Sequence, residues 1–87
     1  MDHKTAVRAA VTSIDRRRKG REYAITKLVK SSSRPSGLSA DETVTFSLSE
    51  WKGGHVPIPG QIVELYDIER FTKGWRARLA KPVRAQQ

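Results

Sequence analysis

Residues 43–48, TVTFSL, alternate without a break. Val44, Phe46 and Leu48 fall on one side of an extended chain, and Thr43, Thr45 and Ser47 on the other. Side chains of a strand point to opposite faces with period two, so this stretch predicts a half-buried strand. WRARLA, residues 75–80, alternates again, with Trp75, Ala77 and Leu79 opposed to Arg76, Arg78 and Ala80. QIVELYDI, residues 61–68, is rich in β-formers and follows Pro59-Gly60, a turn that launches a strand. Residues 22–30, EYAITKLVK, read as a strand as well, with β-branched and aromatic residues and no breaker.

The first segment fits two periods. Val7, Ala10, Val11 and Ile14 have helical spacing, with Thr5 or Asp2 as a cap and Gly20 as a stop. Val7, Ala9 and Val11 have strand spacing, and RRRKGR (residues 16–21) then becomes the tip of a hairpin into residues 22–30. The strand is preferred because every other element is β and the second strand needs a partner. The helical alternative gives an α+β fold, an N-terminal helix on a four-stranded sheet.

Breakers divide these elements. KSSSRPSGLSADE, residues 30–42, is a loop, and WKGGHVPIPG, residues 51–60, is irregular because two glycines and two prolines exclude a helix interior and a central strand. ERFTKG, residues 69–74, is a short connection. Strands near 6–15, 22–30, 43–48, 61–68 and 75–81 predict an all-β, five-stranded Greek-key barrel, since closure removes exposed sheet edges. Pro57 and Pro59 leave room for only a short helix, or none, between the third and fourth strands. Eighty-seven residues make one domain, with an ordered core over 6–81 and a tail over 82–87.

Charge adds the functional direction. The net charge is +8 and the pI is about 10.5. Residues 1–34 carry +7, residues 35–69 carry −5 and residues 70–87 carry +6. Folding that joins the two ends would make one positive surface, the footprint of a polyanionic partner. There is no cysteine, which excludes disulfides and thiolate metal sites. His3 and His55 lack ligand spacing, so no metal is expected. No G-x-S-x-G or phosphate-cradling glycine motif is present. Asp41-Glu42 and the Asp67/Glu69 pair read as solvated charges that balance arginines. No cofactor and no catalysis are therefore expected. No apolar run approaches the roughly 20 residues of a membrane helix, and MDHKTAVRAAV has no signal-peptide core. The expectation is a soluble, cytoplasmic protein.

The stretch PGQIVELYDIERFTKGWRARLAKPV, residues 59–83, is similar to the last two strands of small OB-fold nucleic-acid-binding proteins of the ribosomal class. It carries their lead-in to strand four (Gly60-Gln61-Ile62-Val63), a charged loop (Glu69-Arg70-Phe71-Thr72-Lys73) and an aromatic-Arg opening of strand five (Trp75-Arg76). The basic DRRRKGRE resembles their first hairpin. This resemblance implies an OB-like barrel. It also implies binding along strands two and three, bracketed by the loops joining strands one to two and four to five, here RRRKGR and ERFTKG.

Phosphate recognition needs fixed cations, and the fork of arginine suits it best. The leading candidates are Arg16, Arg17, Arg18, Lys19 and Arg21; Lys27, Arg70, Lys73, Arg76 and Arg78 form a second group. A plainer reading makes RRRKGR a solvated turn. Bases stack on aromatic rings, for which Tyr23, Phe71 and Trp51 are candidates, while Phe46 and Trp75 belong to the core. Two rivals remain: a protein–protein interaction or assembly module with a small β-barrel, and a duplex-DNA regulator if residues 5–19 form a helix.

Overall fold

Residues 7–15 are a strand, and the reason their sequence imitates a helix is a bulge. In the computed structural model, which describes residues 7–29, 37–39, 41–72 and 74–83, β1 (Val7–Asp15) pairs antiparallel with β2 (Tyr23–Leu28). Val11 faces Thr26 but Ser13 faces Ile25, so Thr12 is the extra residue. Its hydroxyl donates to the Ile25 carbonyl at 3.1 Å. Inward positions therefore run Val7, Ala9, Val11 and then Ile14, a phase slip that a bulge produces. The α+β alternative is overturned, and with it the helix that would enter a duplex groove. The proposed caps Asp2 and Thr5 lie outside the described residues, as do His3, Lys73 and the tail beyond Val83.

Three more strands complete the architecture: β3 (Thr43–Ser47), β4 (Ile62–Phe71) and β5 (Gly74–Pro82). A single 3-10 turn, Leu48–Glu50, follows β3. The strands close in the order β1-β2-β3-β5-β4, with β4 returning to β1 through Val7↔Leu65 to Ala10↔Ile62. The protein is thus all-β, a closed five-stranded OB-like barrel. All strand pairings are antiparallel except the β3–β5 seam, which holds two pairs, Val44↔Trp75 and Thr45↔Arg76, and is followed by an isolated parallel bridge, Trp51↔Ala80. Pro59-Gly60 makes the turn into β4: Gln61 N–H donates to Ile58 O at 3.0 Å, and Gly60 takes φ 92, which glycine permits without cost. No helix among the described residues is long and apolar enough to cross a membrane.

Alternation fills the barrel. Ala24, Val44, Phe46, Val63, Leu65 and Ala77 are fully buried. Thr26 is the buried polar side chain, and its hydroxyl is satisfied by donating to Val44 O at 2.8 Å. Leu38, from the serine-rich loop, is also buried, and Gly37 beside it lies against the Trp75 ring.

The expected face of β5 is correct only as far as Ala77. Beyond it the phase slips, so that Ala80 is buried and Leu79 only half-buried. Its partner β4 slips at the same place, from Val63 and Leu65 to Ile68. Between them Asp67 adopts a left-handed φ of 54. Because both strands slip together, the register Leu65↔Ala80 and Ile68↔Ala77 stays unbroken. Aspartate tolerates this conformation and β-branched residues do not. Asp67→Val should therefore cost about 1–2 kcal/mol, read as a lower denaturation midpoint. Asp67→Gly, which keeps the backbone conformation, should cost less than Asp67→Val.

Candidate nucleic-acid interface

The hairpin tip is shaped by its own side chains. Asp15 ends β1 opposite Tyr23, which begins β2. Its carboxylate accepts from the Arg17 backbone N–H at 3.0 Å, an Asx turn that starts the loop. The loop reverses at Arg18–Arg21: Arg21 N–H donates to Arg18 O at 2.9 Å, with Gly20 at φ 77. The space around Gly20 is open, so what a glycine in the third position of such a turn relieves is the strain of a positive φ. This geometry turns Arg18 and Arg21 toward the barrel, while Arg16 and Lys19 point to solvent.

The outward side chains of β2 and β3 lie between this hairpin and the β4–β5 loop. They form two concavities. The larger, about 940 Å³, is lined by Asp15, Arg17, Arg18, Gly20, Arg21, Tyr23, Thr45, Ser47 and Arg76. The smaller, about 410 Å³, is lined by Thr43, Thr45, Phe71, Thr72, Gly74, Trp75 and Arg76. They share Thr45 and Arg76, which face each other across the β3–β5 seam. The result is one groove running from the basic hairpin to the β4–β5 loop, with an aromatic residue toward each end. Tyr23 is half-buried in the larger concavity, and Phe71 is 42% exposed in the smaller.

The predicted residues separate by position. Arg17, Arg18, Arg21, Tyr23, Phe71 and Arg76 line the groove. Lys27 is exposed on the same outward row of β2, opposite Thr43, but lines neither concavity. Arg70 sits over the Trp75 ring at 5.8 Å, a cation–π contact, and Arg78 pairs with Glu69 at 3.2 Å. Neither belongs to the groove lining. Arg16 and Lys19 are exposed outside it. Sequence reasoning missed Thr43, Thr45 and Ser47. Their signal was the outward half of the TVTFS alternation, which is polar throughout.

Two other expectations change. Trp51 packs against the core. Its ring stacks on Phe46 with centroids 5.7 Å apart at 17°, and its Nε1–H donates to His55 O at 2.6 Å. A Cβ on Gly53 would fall 2.5 Å from Cζ2 of that ring, so glycine is required for the close approach. Glu42 is no mere surface charge, because it accepts from the Trp75 Nε1–H at 3.2 Å and from the Ser39 backbone N–H at 3.0 Å. It anchors the loop end over the core tryptophan.

The electrostatics are one-sided. Among the described residues Asp15 is the sole acid in the groove lining, and it is engaged by Arg17, whose Nη2 lies 2.6 Å from Oδ2. The Arg17 hydrogen bonds hold its carboxyl well below the usual carboxylate range. No acid among the described residues pairs with Arg18, Arg21 or Arg76. On the far side, the β1–β4–β5 surface alternates in sign, with Arg8 opposite Glu64 and Glu64 opposite Lys81. No three His, Asp or Glu side chains among the described residues gather to hold a metal ion.

The fold and the groove define a class, a small OB-like barrel with a basic, aromatic-flanked cleft. Comparison with known protein families, with curated proteins and with solved structures finds no match to this chain.

Proposed function

We propose that this chain is a non-catalytic nucleic-acid-binding module that takes single-stranded or otherwise unpaired DNA or RNA in the groove. The observation that carries this reading is the union of the two concavities at Thr45 and Arg76, with Arg18 and Arg21 at one end and Phe71 at the other. Cations spaced along a cleft suit a phosphate backbone. Rings at its ends, half-buried Tyr23 and exposed Phe71, suit bases that are free to leave a stack, each worth roughly 1–3 kcal/mol. A paired duplex presents no such bases, which favours unpaired strands.

Titration of labelled single-stranded DNA, single-stranded RNA and duplex, each at two salt concentrations, tests the reading by fluorescence anisotropy. Single strands should bind more tightly than duplex, and binding should weaken as salt rises. Absence of binding to all three at low salt would overturn the reading in favour of a protein–protein assembly module. The exposed Val56 and Ile58 would then be the first surface to examine.

A further inference from the structure

We infer that Arg17, although it belongs to the arginine run, is not a phosphate ligand but a positioning residue. On this view it is consumed within the chain by Asp15, and Asp15 sets which part of the groove receives phosphate. The inference rests on the reading of the groove as a nucleic-acid site.

The geometry of one carboxylate carries it. Asp15 Oδ1 accepts from the Arg17 backbone N–H at 3.0 Å and from Nε at 3.2 Å. Oδ2 accepts from Nε at 3.2 Å, from Nη2 at 2.6 Å and from the Tyr23 hydroxyl at 3.0 Å. A fork-on-fork pair of this kind is directional and leaves the carboxylate with no unused acceptor site. The Asp15 side chain is only 13% exposed, so its position is held by the hairpin, whereas Arg17 is 85% exposed and is held by Asp15.

Three consequences follow from those bonds. The Arg17 charge is neutralised locally and releases no counterion when a strand arrives. The Tyr23 ring is held at its hydroxyl, which fixes the face it offers to a base. With Arg17 occupied, phosphates are left to the free forks of Arg18, Arg21 and Arg76 while a base takes the ring.

A double-mutant cycle with Asp15→Asn and Arg17→Ala separates this from a simple count of arginines. Its readout is the slope of log affinity against log salt for a single strand, where each phosphate contact is worth about 0.7. Arg17→Ala alone should weaken binding but leave the slope of the parent. Asp15→Asn should steepen the slope by about 0.7, as the freed Arg17 takes a phosphate. Arg17→Ala placed on Asp15→Asn should remove that gain. The inference is overturned if Arg17→Ala alone flattens the slope as much as Arg18→Ala does.

A second measurement does not depend on any ligand. In the free protein the Arg17 Nε–H should give a slowly exchanging NMR signal that disappears in Asp15→Asn. A rapidly exchanging Nε–H in the parent overturns the clamp even if nucleic acid binds. Conversely, a protected Nε–H in a protein that binds no strand leaves the clamp standing and removes the groove's proposed ligand.

Discussion

Phe46→Ala should remove a large share of the stability of this barrel. Phe46 is fully buried and stacks on Trp51. It is the largest side chain in the sealed interior. Truncating a buried phenylalanine costs about 3–5 kcal/mol, from lost transfer energy and the cavity left behind. A chain of 87 residues has of order 4–13 kcal/mol to lose, at roughly 0.05–0.15 kcal/mol per residue. The cavity cannot collapse easily, because Trp51 is held by His55 O on one side and by Gly53 on the other. Each kcal/mol shifts the midpoint of a domain this size by about 4–8 °C, so Tm should fall by at least about 12 °C. Circular dichroism melts check this, and tryptophan emission should move to the red as Trp51 meets water. Phe71→Ala is the internal comparison. Its ring is exposed in the groove, so the melt should barely move while binding falls. A Phe46→Ala protein that melts within a few degrees of the parent would mean that the Phe46–Trp51 stack does not hold the barrel together.

Replacing Arg18, Arg21 and Arg76 together with alanine should nearly abolish the salt dependence of single-strand binding without unfolding the protein. The three side chains are exposed and line one groove, so their removal opens no cavity. With three phosphate contacts at about 0.7 each, the parent slope should be near −2, a loss of roughly 20-fold in affinity from 50 to 200 mM salt. The triple variant should lose about 2 from the magnitude of that slope. Net charge alone would also predict some weakening. Comparison of Arg76→Ala with Arg78→Ala removes that ambiguity, since each takes the net charge of +8 to +7. The two residues are two apart on β5, but Arg76 joins both concavities and Arg78 is held by Glu69. Arg76→Ala should flatten the slope and Arg78→Ala should not. Equal effects would show that the protein binds by its overall field and has no groove-specific contacts.

How much of this was legible in the residues can be followed strand by strand. The alternation of TVTFS placed Val44 and Phe46 inside, and the run from Trp75 placed Trp75 and Ala77 inside; all four are buried. The same alternation failed where the backbone slips. Nothing local marks Thr12 as a bulge, so the period of β1 looked half helical. Nothing local marks Asp67 as left-handed, so Leu79 was assigned inward in place of Ala80. The hairpin end of the groove was legible as the basic run RRRKGR; the β4–β5 end brings Phe71 and Thr72 to the lining and not the expected Arg70, and the floor was hidden in plain polar residues, Thr43, Thr45 and Ser47.

The chain's own order of residues determined which segments extend, where they break, and that the cations gather in two remote stretches. Those are local properties, set by side-chain period, turn chemistry and charge density. Tertiary structure alone decided the rest: the seam that sets Thr45 beside Arg76, the slips that fill the barrel, and the partners of each arginine. Arg17, Arg70 and Arg78 look alike in sequence with Arg18, Arg21 and Arg76, yet the first three are occupied by Asp15, Trp75 and Glu69. Availability of a charge depends on what the fold brings within a few ångströms of it, and contacts across 30 residues of chain, such as that of the Thr45 hydroxyl with Trp75 O, exist only once the barrel closes.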